Sequence, residues 1–471
     1  MSEFGSDLPT APASPTSSGG SKPRLTRRDG RLAAPVRIVH LGLGYFFRAH
    51  TCWYTEHASD ADQWGIAAFS GRTATHVADL RAQGCVYSAM FQSAQPRTEV
   101  VSALSAVHVA ADLAAWRDYF TRKEVCVVTS TITEAGYLCD ANGEVDLGLD
   151  AVRADVAALR QAPLSAPVTT APGRFVAGLL ARRQVGDDPI TFVPCDNVVG
   201  SGRMVSDVVH QVAQAVDPTL VGWIEERVGF VSTMVDRITP TPTSSDLEAL
   251  AALTGYDDPA GVVAEPFAQW VLAGEFRTDH PDWASAGAQF VADVVPFEHC
   301  KLWLLNGAHS LMAYAGPLRG HVTVQEAIAD PVVAAWVQQW WAEASSYVPL
   351  PTAEIVAYER ALVERFENPA MRDVLSRIAA DGSQKLPIRL VPTIRAELAA
   401  GRSALGGLRA VAAWVWHLRG RSTPVNDARL DEGNRLGGGT LDESVTSVVD
   451  FLGLPAAVGG TVRRLADELQ P

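Results

Sequence analysis

The feature that most constrains the fold is an alternation of short apolar runs with amphipathic segments. Residues 36–41 (VRIVHL) form a β-branched run that is followed by glycine, which indicates a buried strand. Similar runs follow at residues 64–69, 125–129, 190–194 and 228–235. Segments of helical periodicity separate the first of these runs, at residues 73–83 and 113–122. Strands that alternate with helices predict an α/β fold with a parallel, doubly wound sheet.

The second half of the chain has a different pattern. From about residue 296 onward the sequence predicts long amphipathic helices, and strand signals nearly vanish. The predicted helices cover residues 324–345, 352–366, 370–380, 391–400 and 407–418. We therefore expect an α/β domain over residues 35–290 and a mostly α-helical domain over residues 291–471.

The first 34 residues differ from both domains in composition. They are rich in Ser, Pro, Gly and Ala, and they end in a basic patch. The patch comprises Lys22, Arg24, Arg27, Arg28 and Arg31. Such a segment buries too little apolar surface to offset the entropy of ordering it, which predicts a disordered tail over residues 1–34. The patch is either a contact for an anionic partner or, as we expect, a solvated stretch.

Composition argues against several classes of function. The chain of 471 residues carries 39 Lys and Arg against 53 Asp and Glu, a net charge of −14, which argues against a nucleic-acid partner. Its six cysteines include no C-x-x-C pair, so we expect no structural zinc site and a reducing compartment. The sequence has neither a long apolar run nor a secretory signal. We therefore expect a cytoplasmic protein with no membrane partner.

A glycine turn follows the first predicted strand. Gly42 and Gly44 have the G-x-G spacing that brings backbone N–H groups close to a pyrophosphate at the start of a helix. Phe47 occupies the place of the third glycine, so the motif alone also fits an ordinary strand–helix turn. After the second strand, Arg72 stands where an acidic residue normally binds the adenosine ribose. Arg72 either meets the 2′-phosphate of NADP, stacks on adenine or faces solvent, so the choice between NAD and NADP stays open.

The most informative segment is KLWLLNGAHS at residues 301–310. On an α-helix at about 100° per residue, Asn306 falls roughly 140° from Lys301 and His309 roughly 80° from it. A lysine in apolar surroundings has a lowered pKa and can exchange a proton with a substrate hydroxyl. An amide can donate to the developing alkoxide, and an imidazole can orient a hydroxyl. The same pattern also fits an ordinary helix whose lysine extends to solvent.

Seven segments together resemble one family. They are GLGYFFRAH at residues 42–50, TITEAGY at 131–137, PCDNVVG at 194–200, VDRITP at 235–240, EPFAQWV at 265–271, KLWLLNGAH at 301–309 and RIAADGSQKLP at 377–387. In content and order they resemble the polyol-specific long-chain dehydrogenases/reductases, the mannitol dehydrogenase family. The resemblance extends over most of the chain and does not include the first 35 residues.

This resemblance implies a Rossmann-type domain, a helical domain and nicotinamide-dependent chemistry on a sugar alcohol and its ketose without a metal. NAD is the expected cofactor. Lys301 would be the general base, Asn197 and Asn306 donors to the reacting oxygen, and His309 a substrate-orienting group. The expected substrate contacts are Asp236, Arg377 and Lys385, and the expected cofactor contacts are Gly42, Gly44, Phe46, Arg48 and Arg72.

Each role has a structural alternative. Asn197 would otherwise cap a turn, Asp236 would pair with its neighbour Arg237, and Arg377 and Lys385 would be surface charges. Glu134 is either a proton relay or a helix cap. Family members are often monomers, so we expect a monomer or a weak homo-oligomer.

The substrate is less constrained than the chemistry. The stretch SGRTA at residues 70–74 resembles mannitol-oxidising members, which favours mannitol and fructose as the substrate pair. Arabinitol and hexuronates such as fructuronate are the alternatives within the family. A hexuronate needs a cationic clamp, which Arg377, Lys385 and Arg389 would supply. An inactive cofactor-binding sensor is disfavoured, because all four presumed catalytic residues are present.

Overall fold

A computed structural model describes residues 22–71, 74–140 and 143–470. Its strands are β1 (Val36–Leu41), β2 (Gly65–Phe69), β3 (Tyr87–Phe91), β4 (Arg97–Val101), β5 (Leu104–His108), β6 (Val127–Ser130), β7 (Ile190–Pro194), β8 (Val228–Phe230), β9 (Ser232–Asp236), β10 (Val262–Ala264), β11 (Gln269–Ala273) and β12 (Gln289–Phe290). Six of them form one parallel sheet in the order β5-β2-β1-β6-β7-β8.

The α-helices of the first domain lie between these strands. They are α1 (Tyr45–Ala49), α2 (Thr51–His57), α3 (Val77–Ala82), α4 (Leu113–Thr121), α5 (Asp150–Gln161), α6 (Ala171–Val185), α7 (Ser201–Val216), α8 (Pro218–Arg227) and α9 (Ser244–Thr254).

After β12 the described chain is helical. Its α-helices are α10 (Val295–His299), α11 (Asn306–Leu318), α12 (Val324–Ala329), α13 (Pro331–Ala344), α14 (Thr352–Glu367), α15 (Leu375–Ile378), α16 (Gly382–Arg389), α17 (Val391–Ala399), α18 (Leu405–Leu418), α19 (Leu430–Leu436), α20 (Leu441–Phe451) and α21 (Gly459–Glu468). The predicted order of a Rossmann-type α/β domain and a mostly α-helical domain is therefore confirmed.

The strand order explains where a ligand binds. From β1 the chain passes outward to β2 and then β5 on one side of the sheet. It then returns to β6, beside β1, and continues outward through β7 and β8 on the other side. The direction of winding reverses between β1 and β6, which opens a crevice at the carboxyl ends of the strands. Strand β2 is buried along its whole length, as expected for a parallel strand covered by helices on both faces.

Two smaller sheets flank the crevice and were not predicted. One has the order β10-β3-β4, and the other has the order β12-β11-β9. The apolar run at residues 228–235 was predicted as a single strand, but it divides at Val231. Its first part, β8, ends the parallel sheet, and its second part, β9, pairs antiparallel with β11. This change of sheet places Asp236 at the edge of the crevice.

Two predicted helices were wrong in extent. The segment 324–345 breaks at Asp330, whose carboxylate accepts a hydrogen bond from the backbone N–H of Val332 and caps α13. Pro331 begins the new helix, where its missing N–H costs nothing. The segment 370–380 contains only the short helix α15.

The predicted disordered tail is wrong for residues 22–34; residues 1–21 lie outside the described residues. Leu25 is completely buried. Arg27 donates hydrogen bonds to the carbonyl oxygens of Gly84 and Ser102, at 2.8 Å each. Arg31 pairs with Glu56 at 3.1 Å. The composition suggested a solvated stretch, but one apolar anchor and several arginine donors bind it to the α/β domain.

Replacing Leu25 with Ala tests whether this segment belongs to the folded domain. Because the Leu25 side chain is 0% exposed, we expect a loss of about 2–5 kcal/mol in unfolding free energy. The matched control is Leu32→Ala, since Leu32 is 83% exposed and its truncation should change stability by less than about 0.5 kcal/mol. Urea unfolding provides the measurement. Equal stability of the two variants would contradict the packing described above.

Candidate active site

A cleft of about 540 Å³ lies at the carboxyl edge of the parallel sheet. Phe46 lines it from the glycine turn, and Lys301 lines it from the helical domain. The remaining lining residues are Thr131, Ile132, Thr133 and Glu134 after β6, Cys195, Asp196 and Asn197 after β7, and Val235, Asp236 and Arg237 at the end of β9. Five of the seven segments that carry the family resemblance thus contribute residues to one cavity.

The glycine turn lies against the end of β6. Gly42 has φ +120°, and a Cβ atom there would approach the carbonyl oxygen of Thr131 to 2.5 Å. Only glycine satisfies both constraints. The backbone N–H groups of Gly42 and Leu43 donate to the carbonyl of Phe69, which joins the turn to β2. This tight turn at the sheet's switch point fits a dinucleotide, because the first N–H groups of the following helix lack intrahelical partners.

The predicted cofactor contacts do not all reach this cleft. Phe46 lines it, whereas Arg48 is completely buried behind the turn. The Nε atom of Arg48 donates to the carbonyl of Gly44 at 3.3 Å, and its Nη1 atom donates to the carbonyl of Ala260. Arg48 thus supports the glycine turn from within the core. Arg72 lies outside the described residues.

The lysine segment is not the α-helix that the sequence predicted. Residues Cys300–Leu305 form a π-helix between α10 and α11, so the angles expected for an α-helix do not apply. The indole N–H groups of Trp340 and Trp341 donate to the carbonyls of Trp303 and Leu304 at 2.8 and 2.9 Å. These two hydrogen bonds from α13 stabilise the wide turn of the π-helix.

Gly307 permits this packing. A Cβ atom at position 307 would lie 2.6 Å from the Nε1 atom of Trp340. The glycine in the N-G-x-H part of the motif is therefore required by the close approach of an indole ring. Local sequence patterns cannot reveal such a contact, because residues 307 and 340 are far apart in the chain.

Lys301 joins the two domains within the cleft. Its Nζ atom donates to Oδ1 of Asn197 at 2.6 Å and to the carbonyl oxygen of Val235 at 2.7 Å. Burial lowers the pKa of Lys301 from its ordinary value, and the positive charge of Arg365 adds to this effect. The nearby carboxylate of Asp236 acts in the opposite direction and limits the shift. The predicted lysine with a lowered pKa is thus present at the cleft.

Of the other predicted catalytic residues, Asn197 lines the cleft beside this amine, whereas Asn306 and His309 are not among the residues that line it. Because Oδ1 of Asn197 accepts from Lys301, its amide Nδ2 group is left to donate to a bound oxygen. Asn306 is half-buried at the first residue of α11, immediately after the π-helix. His309 is buried, and its Nε2 atom has no partner among the described residues. Burial lowers the pKa of His309 to about 4, so its imidazole is neutral near neutral pH.

Asp236 has a role that the sequence did not predict. Both of its oxygens accept hydrogen bonds from Arg365, at 2.7 and 3.0 Å. Arg365 also donates to both oxygens of Glu265, at 2.8 and 2.9 Å. All three side chains are buried, and they connect α14 to the α/β domain. A substrate contact for Asp236 stays a prediction.

The sequence contained an indication of the buried role of Arg365. Its helical spacing from Tyr358 and Leu362 places a cation on an apolar face of α14.

The two predicted substrate cations do not line the cleft. Arg377 has a side chain that is 64% exposed and pairs with Asp373 at 2.5 Å. Lys385 donates from Nζ to the carbonyls of Ala380 and Ile378, at 2.6 and 3.3 Å. Burial and the charge of Arg389 lower the pKa of Lys385. Substrate contacts for Arg377 and Lys385 therefore stay predictions.

Two carboxylates near the cleft differ in burial. Glu134, the relay or cap suggested by the sequence, is exposed on the cleft wall. Glu298, which the sequence analysis missed, is buried one turn before Lys301. Its Oε1 atom accepts a hydrogen bond from the backbone N–H of Gly200 at 2.8 Å, and burial raises its pKa. In the sequence, the position of Glu298 three residues before Lys301 could have indicated that it lies near the site.

Residues 22–71, 74–140 and 143–470 contain neither a metal-binding cluster nor a membrane-spanning helix. No group of three or more His, Cys, Asp or Glu side chains is placed to hold a metal ion. No helix within these ranges is both long enough and apolar enough to cross a bilayer.

Comparisons with known proteins agree with this architecture. Residues 36–285 match the mannitol dehydrogenase Rossmann domain, and residues 293–443 match the mannitol dehydrogenase C-terminal domain. The D-mannonate oxidoreductase of Escherichia coli (strain K12) is 38% identical over 396 residues, which cover 82% of this chain and 80% of that protein. The polyol:NADP oxidoreductase of Gluconobacter oxydans (strain 621H) is 34% identical over 398 residues, with coverage of 82% and 80%.

A solved structure is also similar over nearly the whole chain. It is the ternary complex of Pseudomonas fluorescens mannitol 2-dehydrogenase with NAD and D-mannitol. This structure matches with a TM-score of 0.78 at 30% identity, and the match covers 96% of this chain and 93% of that one.

A glycine turn at a sheet's switch point, next to a cleft that a half-buried lysine of a second domain also lines, is the arrangement of a dinucleotide-dependent dehydrogenase. The chain belongs to the mannitol dehydrogenase family. It is an NAD(P)-dependent oxidoreductase of the polyol and hexuronate class of that family.

Replacing Arg365 with Met tests the ionic contact between the domains. The variant leaves two buried carboxylates without a cation, so we expect a loss of about 3–5 kcal/mol in stability. The loss should be smaller at pH 5 than at pH 8, because protonation removes the unpaired charges. The matched control is Arg360→Met on the exposed face of α14, which should be nearly neutral. Thermal unfolding of both variants at the two pH values measures this; an unchanged midpoint for Arg365→Met would refute the assignment.

Proposed function

We propose that this enzyme interconverts a secondary alcohol and a ketone on an open-chain sugar derivative, with Lys301 exchanging the proton. One observation supports this most directly. The Nζ atom of Lys301 is 2.6 Å from Oδ1 of Asn197, within the cleft that also contains the glycine turn. A proton-exchanging amine, an amide donor and a dinucleotide turn in one cavity are the components of alcohol oxidation by hydride transfer.

The two hydrogen bonds of Lys301 define how its amine acts. A neutral amine has two N–H bonds, and these are occupied by Asn197 and the carbonyl of Val235. The lone pair is then directed away from both acceptors and towards the remaining space of the cleft. In alcohol oxidation Nζ accepts the hydroxyl proton there, and in ketone reduction the third N–H of the ammonium donates it. Bound nicotinamide supplies the hydride acceptor for oxidation and the donor for reduction.

The neighbouring side chains hold the substrate oxygen. The amides of Asn197 and Asn306 would donate to the alkoxide that forms as the proton leaves. The Asn197 side chain is held by its hydrogen bond to Lys301, and Asn306 begins α11. His309, buried and neutral, would bind an adjacent hydroxyl and so fix the carbon that reacts.

Two substrate pairs fit this chemistry. Mannitol and fructose, the pair favoured by the sequence, have support from the likeness to the mannitol 2-dehydrogenase structure at 30% identity. A sugar acid and its keto acid have support from the D-mannonate oxidoreductase, which is 38% identical. Both pairs present the same secondary alcohol to Lys301 and differ at the far end of the carbon chain.

The cofactor is NAD in our proposal, with NADP as the alternative. The solved relative contains NAD, and the Gluconobacter relative is named for NADP. Initial rates with each cofactor at equal concentration, read from the absorbance of the reduced nicotinamide, distinguish the two. Comparable rates with both would show that the ribose end of the site does not discriminate.

Lys301→Met should remove the acid–base step without removing the cofactor site. General acid–base groups contribute about 10²–10⁴-fold, so we expect kcat to fall by about that factor. Binding of the reduced cofactor, measured by nucleotide fluorescence, should change little. Lys123→Met is the matched control, because Lys123 is exposed and distant from the cleft. A Lys301→Met variant that keeps near wild-type kcat would refute the proposed role.

The pH dependence should have opposite signs in the two directions. Oxidation needs the neutral amine, so its rate should rise with pH through the lowered pKa of Lys301. Reduction needs the ammonium, so its rate should fall over the same interval. Rate profiles from pH 6 to 11 in both directions measure this. An identical profile in Lys301→Met, at any residual rate, would assign the titration to another group.

A further inference from the structure

Arg389 is a partly buried cation that has no counter-ion among the described residues. It is the last residue of α16, and its Nη1 atom donates to Oγ of Ser310 at 3.2 Å and to the carbonyl of Asn306 at 3.4 Å. Its Nε atom is buried without a partner, and Nη2 makes no hydrogen bond to any described residue. A guanidinium has five donors in a planar fork, so most of its binding capacity is unused here.

The contrast with Arg365 shows how unusual this is. Arg365 is buried and Arg389 is partly buried, but Arg365 lies between two carboxylates, which raise its pKa well above the ordinary value. Burial lowers the pKa of Arg389 to about 10, and only the hydroxyl of Tyr314 opposes this effect. Burying an uncompensated charge costs free energy that a neutral partner does not recover. Arg389 thus lacks the anion that its environment requires.

Arg389 also lies beside the reacting groups. Its charge lowers the pKa of Lys301, of His309 and of Lys385. Its hydrogen bond reaches the backbone carbonyl of Asn306, whose amide is proposed above to donate to the alkoxide. The side chain keeps partial solvent access, so a ligand can approach it. The missing anion would therefore be part of the molecule that reacts.

We propose that Arg389 binds a terminal carboxylate of the substrate, which makes the enzyme selective for linear sugar acids over neutral polyols. This inference rests on the proposed function and adds the substrate class to it. Two parallel N–H donors of the guanidinium match the two oxygens of a carboxylate. Lys385 is a further cation on α16, and its Nζ, with two backbone acceptors, keeps a third N–H for the same group.

The charge of the substrate would also assist the proton transfer. In the empty site Arg389 disfavours a second positive charge on Lys301. A carboxylate on Arg389 cancels that repulsion and stabilises the ammonium form of Lys301. Ketone reduction starts from the ammonium, so a keto acid favours the protonation state that its own reduction needs.

A matched pair of substrates tests the proposal in the wild-type enzyme. D-Mannonate and D-mannitol differ only in a carboxylate in place of one terminal CH₂OH group. We expect kcat/KM for D-mannonate to exceed that for D-mannitol by about 100-fold or more, as for a charge-assisted bidentate contact. Equal or higher efficiency with D-mannitol would overturn the carboxylate site and leave the hydride-transfer proposal intact. Absence of turnover with both, and with their ketones, would overturn both proposals.

Variants then assign the selectivity to one residue. Arg389→Met should lower the ratio of kcat/KM for D-mannonate to kcat/KM for D-mannitol by about 100-fold, because only D-mannonate carries the carboxylate. Arg389→Lys should recover part of the activity on D-mannonate, because it restores the charge without the planar fork. Arg395→Met is the control, since Arg395 binds the carbonyl of Gly453 away from the cleft. An equal loss on both substrates in Arg389→Met would show a structural role and overturn the inference.

Thermal unfolding provides a readout that does not depend on turnover. Without ligand, Arg389→Met should unfold at the same or a higher temperature than the wild type, because it removes an unpaired buried charge. D-Mannonate should raise the midpoint of the wild type more than D-mannitol at the same concentration. This difference should vanish in Arg389→Met, and its persistence there would place the carboxylate elsewhere.

Discussion

The structure depends on one buried cation that lies between two carboxylates. Arg365 on α14 contacts both Asp236 and Glu265 and so holds the helical domain against the α/β domain. The carbonyl of Val235, one residue before Asp236, accepts a hydrogen bond from Lys301. Adjacent residues of β9 thus set both the ionic contact between the domains and the position of the Lys301 amine.

The environment of Lys301 balances opposing charges. Burial and two nearby arginines disfavour its ammonium form, while Asp236 favours it. The π-helix that contains Lys301 is stabilised by indole N–H groups from α13 rather than by the usual helix pattern. The geometry around Lys301 is therefore a property of tertiary packing. Its unusual local backbone is stable because indole N–H groups of large aromatic side chains donate to carbonyls that the π-helix leaves free.

Sequence patterns predicted the parallel sheet correctly, and they singled out the glycine turn and Lys301, because each depends on local periodicity or on a short motif. They failed where distant residues decide. Leu25 packs into the domain although its surroundings resemble a linker, and Arg48 supports the glycine turn from the core instead of facing the cleft. The π-helix and the paired state of Asp236 were also missed, since both depend on side chains from other helices.

By itself, the sequence determined the class of fold, the family and the chemical type of the reactive residues, because strand periodicity, the Gly42–Gly44 turn and the motif at Lys301 are local properties of the chain. Tertiary structure alone decided which charges are paired. Arg365 and Arg389 look alike in the sequence, yet Arg365 is enclosed by two carboxylates and Arg389 has none among the described residues. Charge pairing depends on distances between remote segments, and those distances exist only in the folded chain.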